Sequence, residues 1–390
     1  MDALTGSRAR LWFLAALAAA NMIAAVLIFR EDDFRTVHGW TTAWLVQASD
    51  IYGTRIWATD YPPNAIVLFS PMALLPYGVA SWSWLLGAMA LAALAPTLAA
   101  RSISDDASRE DLLLLTVTFL AWSGTRTLLQ FSLVTLCLSL AAVRLADRRP
   151  ALAGLLLGLA IAKPQVAFPF CLWTLMTGRW RVGLAATLTV GVLWGVYCLR
   201  AGATPVAVLT GYVAILGSIY TGRERLTGFS ELKTLLPDHL VDTWGVAIAV
   251  ALFATAAAAA LVASARAGQV EGRRPSMDLL PATASAAVLL AIRHMSLAFV
   301  TLLPAAAFLL LDGDEETRAR RRPFFWVLQA GLIVDLPTLQ HRIELSGLAM
   351  PWLGPLLLHF DRLLISGCFV LLVLIQLRTR VTPTSSLARA

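Results

Sequence analysis

The chain has 390 residues, of which 58% are hydrophobic and only 14% are charged, and its mean hydropathy is +0.72. Soluble domains of this length carry far more charge. The composition therefore excludes a soluble domain and predicts an integral membrane protein. The net charge of +7 does not indicate nucleic-acid binding, because the basic residues gather in short connections between apolar segments.

Apolar segments separated by short polar turns run through the whole chain. At ~20 residues per full span, they predict about ten to twelve membrane or re-entrant helices. Residues 64–76, which contain Pro71 and end at Pro76, predict a short half-span. The clear segments are 11–29, 79–100, 128–146, 182–199, 242–265, 295–311 and 354–377, and the shorter ones are 111–122, 151–162, 165–177, 277–292 and 324–336.

The predicted fold is therefore all-α, in a single polytopic membrane domain over residues 1–390. Asn21 lies inside the first segment and no small-residue cleavage site follows it, so we expect a retained helix rather than a signal peptide. The expected parts are a first helix over 11–29, an outer catalytic loop over 30–78, core helices over 79–311, C-terminal helices over 312–380 and a cytoplasmic tail over 381–390.

The distribution of basic residues predicts the orientation of this domain. Arginines such as Arg101, Arg148 and Arg179 recur in alternate short connections, and the positive-inside rule places these connections and the N-terminus in the cytoplasm. The long connections 30–78 and 200–240 then face outward, where we expect the chemistry. Abundant arginine and alanine are typical of GC-rich bacterial genomes, so we expect a bacterial inner membrane, with the active site facing the periplasm.

Two adjacent acids, Asp32 and Asp33, follow the first apolar segment. At the C-terminal end of a helix the macrodipole disfavours acids, which argues for a functional role. The nearby aromatic residues Phe34, His38 and Trp40 suit a carbohydrate or lipid pocket, and a carboxylate shielded from water is a general base. The alternative is a pair of solvated loop charges.

The sequence Asp60-Tyr61-Pro62-Pro63 closes this outer segment. Consecutive prolines fix φ and hold the preceding residue extended, so they predict a rigid connection to the next segment. Asp60 and Tyr61 are therefore candidates to bind substrate, whereas the prolines themselves are structural.

Several polar or basic side chains are predicted at membrane depth near the outer face. Such residues are costly in lipid and are functional candidates by default, and converging cations suit a phosphate. The alternative is a side chain that reaches to the interface without a function. The residues are Arg126 and Gln130, which share a helix face, Lys163 and Gln165 at a proline break, and Arg293 with His294.

The sequence gives no indication of a metal centre or cofactor. The four cysteines lie in apolar runs without the spacing of a metal site, so we expect buried free thiols. No cluster of acids demands a divalent ion, although Glu31, Asp32 and Asp33 could hold one.

Taken together, several motifs resemble the signature of glycosyltransferase family 87, which comprises polytopic mannosyl- and arabinosyl-type transferases of the C-type superfamily. The resemblance covers residues 30–310. The matching elements are Asp33-Phe34, Asp50-Ile51-Tyr52, Tyr61-Pro62-Pro63, Pro71, Leu75-Pro76, Gln130 before the run 131–140, the run Gly154 to Gln165, and Arg179-Trp180-Arg181.

The resemblance implies a C-type fold, a polyprenyl-phosphate sugar as donor and an inverting transfer outside the membrane. It implies Asp33 as the base, with Asp32 its rival. A glycolipid or polysaccharide is the expected acceptor. Beside this, the cations Lys163, Arg126 and Arg293 are expected to bind the donor phosphate. The expected substrate-binding residues are His38, Tyr61, Asp60, Gln130, Gln165 and His294.

Two departures from the family pattern keep other functions open. Leu129 stands where the family often has glycine, and Ala298 stands where it has an acid. The alternatives are an inactive family member, a lipid or glycan transporter, and an acyltransferase with His38 or His294 as base. No internal repeat supports the transporter.

Overall fold

The computed structural model describes residues 2–27, 32–54, 61–127, 131–222, 300–334, 367–368, 370–372 and 374. Every regular element in these ranges is helical, which confirms the all-α prediction for the described part. The elements are α1 Asp2–Leu27, α2 Asp32–Leu45, α3 Ile51–Thr54, α4 Pro63–Phe69, a 3-10 turn Ser70–Leu74, α5 Tyr77–Ile103, α6 Arg109–Thr127, α7 Ser132–Leu145, α8 Pro150–Ala160, α9 Pro164–Met176, α10 Trp180–Ala201, α11 Pro205–Gly222, α12 Leu303–Leu311 and α13 Glu315–Val334.

Two helices of the described part, α5 and α10, are long and apolar enough to cross a membrane. The shorter apolar helical stretches, such as α7 and α8, have between 10 and 17 residues, which is less than a full span. These lengths suggest a membrane protein, while the number of spans stays a prediction. The segments 242–265, 277–292 and most of 354–377 lie outside the described residues.

The structure differs from the expected outer loop over 30–78, because most of its described residues are helical. Phe34, Val37, Trp40 and Trp44 recur every three or four positions and are all buried. This spacing is typical of an amphipathic helix and explains α2. The spacing of these apolar residues therefore indicates a helix, although the polar composition of the segment had suggested a loop.

The second expected outer loop, 200–240, also contains a helix. The helix α11 begins at Pro205, where proline has the φ that a first helical position needs. The hydroxyl of Thr204 accepts a hydrogen bond from Ala207 N at 3.3 Å, which satisfies one of the free N–H groups of the first turn. Proline and threonine together thus start a helix in a segment predicted as a long outer connection.

Helices α8 and α10 are packed closely through two glycines. A Cβ added at Gly154 would lie 2.6 Å from the carbonyl oxygen of Val182, and one at Gly158 would lie 2.8 Å from that of Ala186. The contacts advance in the same direction along both helices, so α8 and α10 run parallel. Glycines four apart allow this approach, as in membrane helix pairs.

Helix α1 carries its one internal asparagine against α6. The side-chain amide of Asn21 donates to the carbonyl oxygen of Ala121 at 2.6 Å. A buried polar side chain is tolerated when it is hydrogen-bonded. The contact explains how a polar residue is accommodated inside an apolar helix.

Charged turns gather at one end of the bundle. Arg144 pairs with Asp105 at 3.2 Å, and Arg179 pairs with Asp147 at 2.9 Å, so the turns before α6, α8 and α10 lie together. Arg179 is buried and also lies over the ring of Trp173 at 4.5 Å. These are the connections predicted to face the cytoplasm, and the candidate site lies at the opposite end.

Candidate functional site

The two candidate bases, Asp32 and Asp33, lie at the start of a helix. Asp32 and Asp33 are the first residues of α2, which follows the end of α1 at Leu27. Acids in the first turn of a helix interact favourably with its dipole. The expected conflict with a helix C-terminus therefore does not hold, and the choice between Asp33 and Asp32 as base stays a prediction.

The buried face of α2 packs into an aromatic cluster at this end of the bundle. Phe131 is central, with its ring centroid 3.7 Å from that of Phe69 and 4.4 Å from that of Trp84. Phe34 stacks on Trp84 at 5.8 Å. We define the aromatic cluster as Phe34, Trp40, Trp44, Tyr52, Tyr61, Phe69, Trp84, Phe131 and Tyr197.

Tyr61 links this cluster to a lysine. Its ring centroid lies 6.0 Å from that of Trp40 and 5.5 Å from that of Phe131. On another side, the Nζ atom of Lys163 lies 5.7 Å from the centre of the Tyr61 ring, within the range of a cation–π contact. The structure thus brings together two residues that the sequence singled out separately.

The break between α8 and α9 positions Lys163. Helix α8 ends at Ala160, and α9 begins at Pro164, which cannot continue the preceding hydrogen-bond ladder. Lys163 lies between them with φ −126° and ψ 87° as the residue that caps α9. The predicted proline break therefore places a cation where the two helices meet the aromatic cluster.

A chain of hydrogen bonds holds the backbone of Tyr61. The hydroxyl of Tyr52 donates to the Tyr61 carbonyl oxygen at 2.7 Å, and Tyr52 N donates to Asp50 Oδ1 at 3.2 Å. The hydroxyl of Tyr197 donates to the same Asp50 oxygen at 3.3 Å and accepts from Ile51 N at 2.9 Å. Asp50 and Tyr197 thereby tie Tyr61 to α10.

Two further contacts fix this chain of bonds in place. Trp44 stacks on Tyr197 and donates its indole N–H to the Tyr197 carbonyl oxygen at 3.1 Å. Helix α11 approaches so closely that a Cβ added at Gly211 would lie 2.8 Å from the Tyr52 carbonyl oxygen. Sequence reasoning missed Tyr197, since no local pattern distinguishes it from other residues of an apolar helix.

His38, predicted to bind substrate, contacts the start of α5. Its Nε2 atom lies 3.4 Å from the carbonyl oxygen of Leu75, as a donor in the Nε2–H tautomer. Its ring meets Tyr77 edge to face at 5.4 Å. These contacts give His38 a structural role between α2 and α5, and its substrate role stays a prediction.

Comparison with protein families identifies the segment that holds this site. The model of glycosyltransferase family 87 matches residues 57–233. This match confirms the resemblance seen in the sequence over these residues and the prediction of a transferase, whereas the motifs Asp33-Phe34 and Asp50-Ile51-Tyr52 lie before the matched segment. Comparisons with curated proteins and with solved structures gave no match.

The family 87 segment contains most of the described site. Tyr61, Phe131, Lys163 and Tyr197 lie within it, whereas α2 with Asp32 and Asp33 precedes it. The candidate site therefore combines residues of the matched segment with α2, which packs onto that segment through Trp40 and Trp44.

The structure describes only some of the other predicted site residues. Gln165 is half-buried in the first turn of α9, and Arg126 lies in the last turn of α6. No group of three or more metal-binding side chains occurs in the part of the chain that the structure describes. Asp60, Gln130, Arg293 and His294 lie outside the described residues.

Replacing Tyr52 with phenylalanine is expected to lower the kcat of this transferase about fivefold while leaving the protein folded. The change removes the hydroxyl that holds the Tyr61 carbonyl and keeps the ring, and a hydrogen bond contributes about 1 kcal/mol on average. Initial rates and thermal unfolding of both proteins measure the two effects. A Thr187→Val protein, which removes an exposed hydroxyl of α10, is the control, and an equal loss of kcat there would contradict the role of Tyr52.

Proposed function

We propose that the chain transfers a mannose-like sugar from a polyprenyl-phosphate donor to a lipid or glycan acceptor at the outer face of a bacterial inner membrane, with inversion. The observation that carries this proposal is the position of Lys163 over Tyr61, beside the helix that begins with Asp32 and Asp33. An acid, a cation and aromatic side chains are the groups that a direct sugar transfer needs at one place.

The reaction is a single displacement. Asp33 accepts the proton of an acceptor hydroxyl while the hydroxyl oxygen forms a bond to the anomeric carbon. The bond between that carbon and the phosphate oxygen breaks, and its electron pair leaves with the polyprenyl phosphate. Lys163, with Arg126 or Arg293, stabilises the negative charge on this phosphate. One preorganised group of this kind lowers a barrier by ~3–4 kcal/mol.

The exposed surface of α10 supports a lipid environment for the donor. Leu184, Leu188, Val192 and Leu199 are between 53% and 85% exposed on a helix of 22 residues. A large exposed apolar surface is unfavourable in water and marks a membrane or protein contact. A bilayer around α10 gives the polyprenyl tail access to the same end of the bundle as Lys163.

A transfer assay with purified membranes tests the proposal. The donor is polyprenyl-phosphate mannose, and NMR of the product reports the anomeric configuration. Wild type is expected to transfer mannose with inversion, and Asp33→Asn is expected to lose at least ~100-fold in kcat. Asp105→Asn, at the charged end of the bundle, serves as control.

The pattern of losses separates the possible bases. An inactive Asp32→Asn protein beside a fully active Asp33→Asn protein would assign the proton to Asp32. Full activity in both would reject a base in the first turn of α2. Absence of transfer from mannose, arabinose and glucose donors by wild type would reject the proposed donor class.

A further inference from the structure

Several buried polar atoms have no hydrogen-bond partner within the described structure, and three of them belong to helices that contact or adjoin Tyr61 and Lys163. These three are Nε1 of Trp40, Nδ2 of Asn64 and Oε1 of Gln165, and each is inaccessible to water. Trp40 is 5% exposed and Asn64 is 0% exposed. Leaving such groups unpaired in an apolar interior is costly, so native proteins retain them where a ligand or water completes the bond.

The orientation of the Asn64 amide is settled by its neighbour. The indole N–H of Trp194 donates to Asn64 Oδ1 at 3.3 Å. An indole nitrogen only donates, so the atom facing Trp194 is the amide oxygen. The NH2 group of Asn64 is therefore turned away from Trp194, with both of its hydrogens available.

The three side chains lie on elements that meet at Tyr61. The Trp40 ring is 6.0 Å from the Tyr61 ring, and Asn64 lies one turn after Tyr61 at the start of α4. Gln165 follows two residues after Lys163, whose Nζ is 5.7 Å from the Tyr61 ring. The three unpaired atoms thus belong to α2, α4 and α9, the helices that contact or adjoin Tyr61 and Lys163.

Their chemistry selects the kind of ligand. Trp40 and Asn64 offer donors, and Gln165 offers an acceptor. A sugar hydroxyl both donates and accepts, whereas a phosphate oxygen only accepts and a lipid tail does neither. Aromatic walls with a few placed polar groups are typical of a small-molecule pocket.

We propose that Trp40, Asn64 and Gln165 bind hydroxyl groups of the transferred sugar and determine which sugar the enzyme accepts. The inference rests on the proposed function, and it assigns two residues, Trp40 and Asn64, that lack a role in the displacement itself. They act by differential binding of the correct sugar, since a site built to bond a hydroxyl rejects the analogue that lacks it.

A matched control exists in the same protein. Trp173 is also buried, and its Nε1 atom also has no partner. Its ring, however, lies under Arg179 at 4.5 Å, at the charged end of the bundle. Trp40→Phe and Trp173→Phe remove the same N–H group at the two ends, and Gln165→Met removes the third polar group with little change of shape.

The test measures kcat/KM with polyprenyl-phosphate mannose and its monodeoxy analogues. Wild type is expected to lose about tenfold or more on at least one deoxy donor. For Trp40→Phe, kcat/KM with the mannose donor is expected to fall about tenfold, to the same value as its kcat/KM with one of the deoxy donors. Trp173→Phe is expected to match wild type. Unchanged discrimination in both Trp40→Phe and Gln165→Met, or an equal loss in Trp173→Phe, would overturn the inference.

A second arm separates this inference from the proposed function. If wild type transfers no sugar, thermal unfolding is followed with free mannose, arabinose or glucose added. A rise in Tm for wild type and Trp173→Phe, but not for Trp40→Phe, supports the sugar site without transfer from that donor. No rise in wild type with any of the three sugars, combined with no transfer, would overturn the site.

Discussion

Replacing Lys163 with methionine is expected to lower the kcat of sugar transfer about 100- to 1,000-fold, the range for loss of one preorganised group that stabilises transition-state charge. Methionine has a similar length and removes the positive charge. The Nζ atom lies 5.7 Å from the centre of the Tyr61 ring, which contacts Trp40 of α2, and we propose that its charge stabilises the phosphate that leaves the sugar. Because this charge matters most as the bond breaks, kcat is expected to fall more than the affinity for the donor.

Two further proteins make this prediction specific. Lys163→Arg keeps the charge with a different geometry and is expected to retain part of the activity. Arg148→Met removes an exposed charge at the opposite, charged end of the bundle and is expected to behave as wild type. A Lys163→Met protein with the kcat of wild type would show that the leaving phosphate is stabilised elsewhere.

Replacing Gly158 with alanine is expected to lower the free energy of unfolding by about 1–3 kcal/mol, the usual cost of overpacking. An added Cβ would lie 2.5 Å from Thr189 Cβ and 2.8 Å from the Ala186 carbonyl oxygen. A backbone carbonyl cannot turn aside like a flexible side chain, so α8 and α10 must separate. Since α8 ends just before Lys163, we expect the transfer rate to fall as well.

The control for this prediction is a glycine of the same helix pair in open surroundings. A Cβ added at Gly191 in α10 meets nothing within 4 Å, and alanine stabilises a helix interior by up to ~1 kcal/mol relative to glycine. Thermal unfolding in detergent should therefore move in opposite directions for Gly158→Ala and Gly191→Ala. A higher Tm for both would contradict the close packing of α8 on α10.

The sequence identified single site residues where local chemistry was unusual. Lys163 was visible because a cation beside a proline interrupts two apolar runs, and Tyr61 because it precedes two prolines. In both cases the prolines act on the backbone of their own segment, so the feature can be recognised without knowing which residues contact it in the fold. The same reasoning placed Asp32 and Asp33 at a helix end, but at the opposite end from the one that the structure gives them.

Contacts between residues far apart in the chain were not predicted in this way. Asp50 and Tyr197 are 147 positions apart in the chain and form one hydrogen bond. Asn64 became informative only when its partner Trp194 and its unpaired NH2 group were known. Polar side chains in apolar helices cannot be distinguished in a sequence, because their roles depend on the residues that they contact in the fold.

The sequence by itself determined the helical class, the apolar composition expected of a membrane protein, the family resemblance and the two ends of the site, Tyr61 and Lys163. These follow from composition, from proline geometry and from short motifs, which are local properties. Only the tertiary structure decided that Lys163 lies over Tyr61, that Trp40 of α2 packs against Tyr61, and that Tyr197 is hydrogen-bonded to Asp50 and Ile51. Such contacts depend on how closely α8 and α10 pack, and the absence of side chains at Gly154 and Gly158 sets that distance.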